Sequence, residues 1–344
     1  MSYVRGMKSR VTLEVALEEW PLSAPLRITG YTFTTLTLLV VTLSDANHRG
    51  CGEATGVFYL NETPSSLVDQ IETVREKLEA GVTRDELREL LPPGGARNAV
   101  DCALWELESK RACTPVWTLA GLHAPTPLLT TYTLGADTPE AMANGATVRY
   151  RDARALKLKL LGDSDDAARV RAVRAARPDV WLGVDANQGL TRASLADLLP
   201  TLVEARVALI EQPCKRGAEQ ELDNFDSPIP LAADESVQSL EDIAGLVGRF
   251  QVMNIKLDKC GGLTEALLMA EEGRRRGLRI MVGNMGGTAL AMAPALLVGQ
   301  HCEVVDLDGP LFLTRDRMPP VVYDKGYISA PADLWGWPAG ARVD

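Results

Sequence analysis

The chain has 344 residues, 46% of them hydrophobic and only 5% aromatic, with a formal net charge of -10. That length can bury a core large enough for two domains, or for one barrel with an appendage, and the acidic balance argues against nucleic acid or an anionic membrane surface as a partner. The six cysteines (51, 102, 113, 214, 260, 302) show no metal-ligand spacing and read as free thiols in a reducing compartment. Residues 1–30 lack the apolar core of a signal peptide and no run reaches transmembrane length, so a cytoplasmic, membrane-free protein is expected.

Residues 11–20 (VTLEVALEEW) alternate in the manner of a strand, 34–43 (TTLTLLVVTL) are rich in β-branched residues, and CGEATGV (51–57) returns after the polar turn DANHRG. Together they predict a small antiparallel meander. Two long connections, 21–33 (PLSAPLRITGYTF) and 56–64 (GVFYLNETP), read as irregular loops of the kind that carry function. Helices follow: a capped one from Thr63 with Leu67, Ile71, Val74 and Leu78 at helical spacing, a short one over TRDELRELL, and a third over 96–111. Residues 1–122 are read as an α+β domain.

From Pro125 the pattern changes. Candidate strands are 128–135, 155–160, 181–187, 208–213, 230–236, 253–259, 279–284 and 302–308, separated by helical segments. Eight strands alternating with helices predict a modified TIM barrel of (β/α)7β type over 123–310, an α/β fold with the α+β domain capping it. Residues 311–344, with Pro and Trp and no clear helix, should run back over the first domain.

Three of these strands end in a carboxylate: WLGVDAN (Asp185), ALIEQP (Glu211) and PLAADES (Asp234). The acids are 26 and 23 residues apart, close to one βα unit each, which places them at one level at the C-terminal ends of neighbouring strands. One acid at a strand end is ordinary; three in register repel unless a cation sits among them. All-oxygen ligation favours Mg2+, with Mn2+ possible, over zinc.

Lys157 and Lys159 lie two apart in ALKLKL and so share a face. On the sixth strand, NIKLDK, Lys256 and Asp258 should share a face while Lys259 points the other way. Second and sixth strands of an eight-stranded barrel oppose each other, so Lys159 and Lys256 would flank a ligand between them. Two bases on opposite sides of one carbon are what inversion requires, and a neighbouring lysine or a metal ion can lower a lysine's pKa enough for it to act as base. One positioned base supplies about 10²–10⁴-fold; the rest must come from stabilising developing negative charge, which a dication on a substrate carboxylate provides.

The set KLK, VDAN, IEQP, ADES and NIK, behind an α+β domain, resembles the enolase superfamily, muconate-lactonizing subgroup. The resemblance implies Mg2+ on Asp185, Glu211 and Asp234, Lys159 and Lys256 as the acid/base pair, and support from Lys157, Asn187 and Glu235. It also implies an enediolate intermediate and loops of the 20s and 50s over the substrate. Lysine plus Mg2+ at enolase-type sites is a known pattern. VVDLDGP (304–310) puts Asp306 and Asp308 on one face after the last strand, similar to the motif with which bacterial dipeptide epimerases, including L-Ala-D/L-Glu epimerases, hold a substrate ammonium. Those Ala-Glu enzymes carry an arginine in the 20s loop; Gly30 stands at that place here, Arg27 lies three residues early, and Tyr31 follows.

The expectation is therefore a Mg2+-dependent dipeptide epimerase not specific for Ala-Glu, acting by two-lysine 1,1-proton transfer, with Gly30 and Tyr31 at the substrate and a homo-oligomer possible. Within the subgroup an o-succinylbenzoate synthase or a muconate-type cycloisomerase is the alternative, though neither substrate brings an ammonium to Asp306 and Asp308. From another class, a non-catalytic Mg2+-dependent carboxylate-binding protein would have no use for two opposed lysines.

Overall fold

The computed structural model describes residues 10–28 and 31–337. Its first part is an antiparallel sheet of β1 (Thr12–Ile28), β2 (Tyr31–Ser44) and β3 (Arg49–Ala54), covered by α1 (Pro64–Glu79), α2 (Arg84–Leu90) and α3 (Gly95–Ala112). Thr63 and Thr83 cap α1 and α2 with reciprocal capping boxes, and the apolar stripe Leu67, Ile71, Leu78 faces inward as its spacing predicts. Gly50 and Gly52 let β3 lie directly on α3. A Cβ at either would meet the carbonyl oxygen of Ala103 at 2.2 Å or of Ala99 at 2.0 Å.

One expectation fails here. Of the stretch 21–33 expected as an irregular loop, residues 21–28 and 31–33 extend β1 and β2 instead, with Leu26 opposite Phe33 and Ile28 opposite Tyr31. The register shifts between Pro21 and Leu26, so the segment with Pro21 and Pro25 is absorbed as an irregularity on an edge strand, where a missing N–H costs nothing. Leu22 bridges Leu313, and Thr314 donates to the Pro21 carbonyl, so the hairpin leans on the C-terminal segment.

After α4 (Val116–Leu119) come β4 (Leu128–Leu129), β5 (Tyr132–Leu134), α5 (Pro139–Asn144), β6 (Ala155–Lys159), α6 (Asp166–Ala176), β7 (Trp181–Asp185), α7 (Arg192–Glu204) and β8 (Leu209–Glu211). The chain continues through β9 (Leu231–Ala233), α8 (Ile243–Leu246), β10 (Val252–Ile255), α9 (Leu257–Cys260), α10 (Leu263–Arg275), β11 (Arg279–Val282), α11 (Ala289–Gly299) and β12 (Val304–Val305). Strands β5 to β12 form one parallel sheet in sequence order, and Thr131 N–H donates to the Val305 carbonyl, linking its two ends. This is the expected modified barrel, with the first part of the chain as its cap. Between β8 and β9 only a 3-10 turn (Glu219–Leu222) replaces the expected helix, because that segment carries Gly217, Pro228 and Pro230.

Alternate residues point into the barrel. Trp181, Leu209, Ala232, Val252, Met281 and Val304 form an apolar plug at its base. Gly183 leaves room for the Trp181 ring, which a Cβ would meet at 2.8 Å. The same faces, one step on, carry the polar residues. Finally β13 (Val322–Asp324) pairs with β14 (Tyr327–Ser329), which pairs with β4, and Trp335 Nε1 donates to the Cys51 carbonyl of the first domain. All six cysteines are unpaired, and among the described residues no helix is long and apolar enough to cross a membrane.

Candidate active site

Asp185 ends β7, Glu211 ends β8 and Asp234 follows β9, and each is buried. Strand pairing sets Lys159 beside Asp185 and Asp185 beside Glu211, and the three carboxylates offer oxygens within 4.8 Å of one another. The donors are oxygen only, converge on one point and lie away from bulk water. That set fits a hard divalent cation of the Mg2+ class. Burial and the neighbouring Asp185 push Glu211 up to about 8. Burial works the same way on Asp234, but Lys256 and Lys259 outweigh it and hold that carboxyl well below the usual range.

The local chain explains why these acids aim as they do. Asn187 turns left-handed (φ 42°), which Asn tolerates, and returns its N–H to Asp185 Oδ1 at 2.9 Å. Gln212, buried behind Glu211, accepts from the N–H groups of Asp234 and Ser236 at 2.9 and 3.1 Å and so fixes the turn carrying Asp234. Asn254 donates to Glu211 Oε1 at 2.7 Å. Gln212 and Asn254 escaped the sequence reading, although the alternation of β10 puts Asn254 on the Lys256 face.

Lys159 Nζ lies 2.5 Å from Asp185 Oδ2, and Lys256 Nζ 2.6 Å from Asp234 Oδ2. The two lysines thus approach the carboxylate triad from opposite sides, β6 and β10 being four strands apart. Lys157 pairs with Asp306 and also reaches Glu211 at 3.3 Å. Burial alone would lower Lys157 and Lys256, yet the surrounding carboxylates raise both above the usual lysine value. The expected lowering of a lysine by its neighbour is therefore outweighed by carboxylates in this arrangement.

The sixth strand needs a correction. β10 stops at Ile255, and α9 begins after Lys256. A helical step of three brings Lys259 round to the same side as Lys256, where its Nζ meets Asp234 Oδ1 and the Asp234 carbonyl, each at 2.6 Å. Asp258 turns away instead and accepts from the N–H groups of Thr55 and Gly56 at 2.8 and 3.3 Å. Gly261 and Gly262, both with positive φ, mark the helix end and were the available signal.

Asp306 and Asp308 are both buried beyond β12 but differ in surroundings. Asp306 is engaged by Lys157 and by the Thr131 hydroxyl at 2.5 Å, and although burial opposes it, Lys157 holds its carboxyl low. Asp308 accepts from Thr133 N–H at 2.7 Å, and burial together with Asp306 pushes it up to about 6. Across the cavity Asn187 donates to Glu235 Oε1 at 3.3 Å, while Asn187 Oδ1 and Glu235 Oε2 are buried with no hydrogen-bond partner among the described residues. Burial and Asp234 raise Glu235 to about 7.

Above these groups opens a cavity of about 280 Å³. Its floor includes Lys157, Lys159, Lys256, Asp306 and Asp308, and its roof is apolar, with Leu26, Phe33, Leu36, Phe58 and Phe312. Those three lysines are the only cations among its described lining residues. Gly30 lies outside the described residues. Tyr31 is not in the lining: its ring stacks 6.1 Å from Phe33 and meets Phe58 edge-on at 4.5 Å, behind the roof.

Residues 10–121 match the family described as mandelate racemase / muconate lactonizing enzyme, N-terminal domain, and residues 141–336 match enolase C-terminal domain-like. The chain is similar to the L-Ala-D/L-Glu epimerase of Escherichia coli K12, at 38% identity over 92% of this chain and 99% of that one. It superposes with a TM-score of 0.90 on an enolase family member from Agrobacterium tumefaciens with homology to dipeptide epimerases and with sodium and L-Ala-L-Glu bound. That match is 41% identical and covers 95% of this chain and 100% of the other. A dipeptide epimerase from Methylococcus capsulatus, complexed with Mg and L-Arg-D-Lys, superposes at 0.87 with 28% identity, covering 94% and 98%.

Proposed function

The chain belongs to the mandelate racemase / muconate lactonizing enzyme family of the enolase superfamily, and on that premise we propose that it is a Mg2+-dependent epimerase acting on the α-carbon of a dipeptide's C-terminal residue. One observation carries the reading: Lys159 and Lys256 reach the carboxylate triad from opposite sides under one cavity. On this reading 1–122 cap the site, 123–310 form the barrel, and 311–344 return to the cap.

Asp185, Glu211 and Asp234 would hold the cation. A Mg2+ ion there would supply positive charge to the substrate carboxylate, where electron density grows as the α-proton leaves. The chain does the proton work. One lysine Nζ takes the α-proton from its side of the carbon, and the other, as an ammonium, returns a proton to the opposite side. Reversal of roles serves the other epimer. Asp308, with Asp306 beside it, receives the substrate ammonium at the far wall, fixing the carbon between the lysines. Lys157 offsets the charge of Asp306 and reaches Glu211. Asn187 orients Asp185 and, with Glu235, keeps unpaired polar atoms at the cavity edge. The roof excludes water, and Tyr31 supports it through Phe33 and Phe58.

In deuterated water with Mg2+, the protein is expected to exchange the α-proton of a dipeptide's C-terminal residue and to interconvert its epimers. Lys159→Ala and Lys256→Ala each stop epimerisation, yet each retains exchange with one epimer, a different one in each variant. Unchanged epimerisation by either alanine variant would refute the assignment of the pair.

A further inference from the structure

The 50s segment that roofs the cavity has irregular backbone from Thr55 to Val57, so its N–H groups need partners outside a ladder. Two acids, the half-buried Glu62 and the buried Asp258, provide them from two different parts of the molecule. Glu62, within the cap, takes Val57 N–H at 2.8 Å and Gly95 N–H at 3.2 Å. Asp258, on the barrel, takes Thr55 and Gly56 N–H on a single oxygen, Oδ1, and Thr55 Oγ1 adds a bond to the Gly286 carbonyl at 3.2 Å. Just beyond these bonds, Phe58 and Tyr59 face the cavity. Asp258 itself sits on α9 two residues after Lys256. The roof and a base are therefore fastened to the same helical turn.

We propose that Asp258 is a positioning residue that holds the Thr55–Leu60 roof segment in register with Lys256, and thereby sets how well the site retains a substrate side chain. Its effect on turnover rests on the epimerase reading; its effect on the loop does not. Removing both bonds leaves the N–H groups of Thr55 and Gly56 without an acceptor, which disfavours the arrangement of the roof seen here. Substrate retention is then lost while the lysines and carboxylates remain in place. Since both donors meet one oxygen, a carboxamide with the same Oδ1 suffices.

The test compares Asp258→Ala, Asp258→Asn and Thr55→Val with the wild type, each loaded with Mg2+. Backbone hydrogen exchange over 55–62 is expected to quicken about tenfold in Asp258→Ala and to stay near wild type in Asp258→Asn. With a dipeptide bearing a C-terminal Leu or Phe, KM is expected to rise about tenfold in Asp258→Ala, with kcat within about twofold. Thr55→Val, which removes only the bond to Gly286, should raise KM about threefold and covers the case in which the alanine variant does not fold. Faster exchange without a change in KM overturns the substrate-retention role, as does a kcat loss at constant KM. An Asp258→Asn variant as impaired as the alanine one overturns the hydrogen-bond origin. If the wild type turns over no dipeptide while exchange at 55–62 still follows the variants, the epimerase reading fails and the loop anchor stands.

Discussion

Asp234 carries a lysine on each carboxylate oxygen, and that double pairing decides how its substitution should behave. Asp185→Asn, Glu211→Gln and Asp234→Asn should each lower kcat/KM by at least about 10²-fold, since each removes a charged donor of the cation site. Chelation should abolish activity reversibly, and full activity after exhaustive removal of divalent ions would sink the metal mechanism. Asp234→Asn should also be the least stable of the three, because it strips charge compensation from both Lys256 and Lys259; urea titration ranks them. With Leu26, Phe33, Leu36 and Phe58 above the substrate, L-Ala-L-Leu or L-Ala-L-Phe should be preferred to L-Ala-L-Glu, because a buried carboxylate without a partner is disfavoured. A tenfold preference for the glutamate dipeptide, about 1.4 kcal/mol in transition-state binding, would mean that a cation reaches this wall.

The short helix α9 and the long β1–β2 hairpin are the elements that pattern reading missed, and both misses have the same cause. Alternation and apolar runs report which residues are buried in a regular element. They do not report where the element stops. Lys256-Leu257-Asp258-Lys259 alternates well enough as strand, and alternation sets Asp258 with Lys256 and Lys259 opposite it; one helical turn exchanges them. Pro21 and Pro25 marked irregularity, but not that cross-strand partners resume at Leu26. By contrast, the carboxylates and Lys157, Lys159 and Lys256 were legible, because strands buried on both faces leave charged residues no other place than the barrel mouth. The placement of Asp258 has a measurable result. Burial raises its carboxyl to about 7, from about 3.9 in an unfolded chain. Between those values the folded state binds the extra proton, so this group's contribution to stability falls as pH rises from about 4 to 7. Asp258→Asn should remove that loss, up to about 1.4 kcal/mol per pH unit for one group. Thermal midpoints of wild type and variant should therefore diverge toward neutral pH; parallel curves would exclude the shift.

At the scale of the whole molecule, one buried node joins cap, barrel and C-terminal segment. Glu53 of β3 accepts from Thr288 N–H and Oγ1 at 2.7 and 2.6 Å, at the start of α11, and pairs with Arg317 at 2.8 Å. Arg317 also pairs with Glu18 of β1 at 2.8 Å and lies over the Trp20 ring. Arg317→Ala leaves Glu53 buried and unpaired, which should cost about 3–5 kcal/mol. Adding Glu53→Gln should recover part of it, and a double-mutant cycle by denaturant unfolding measures the coupling. Additive effects would show that the node does not join the parts.

Electroneutrality follows from the crowding of charge at the barrel mouth. Six carboxylates, Asp185, Glu211, Asp234, Glu235, Asp306 and Asp308, meet the four ammonium groups of Lys157, Lys159, Lys256 and Lys259 there. Fully ionised, and before either catalytic lysine gives up its proton to act as base, this set is short by two positive charges, the valence of a single Mg2+ ion. A dipeptide with two apolar side chains is a zwitterion of zero net charge and enters without disturbing that balance. A dipeptide with an acidic side chain brings one charge too many into a poorly hydrated space, and a lysine side chain brings the opposite excess. Discrimination by side-chain charge can thus arise from the whole mouth, before any single residue touches the side chain.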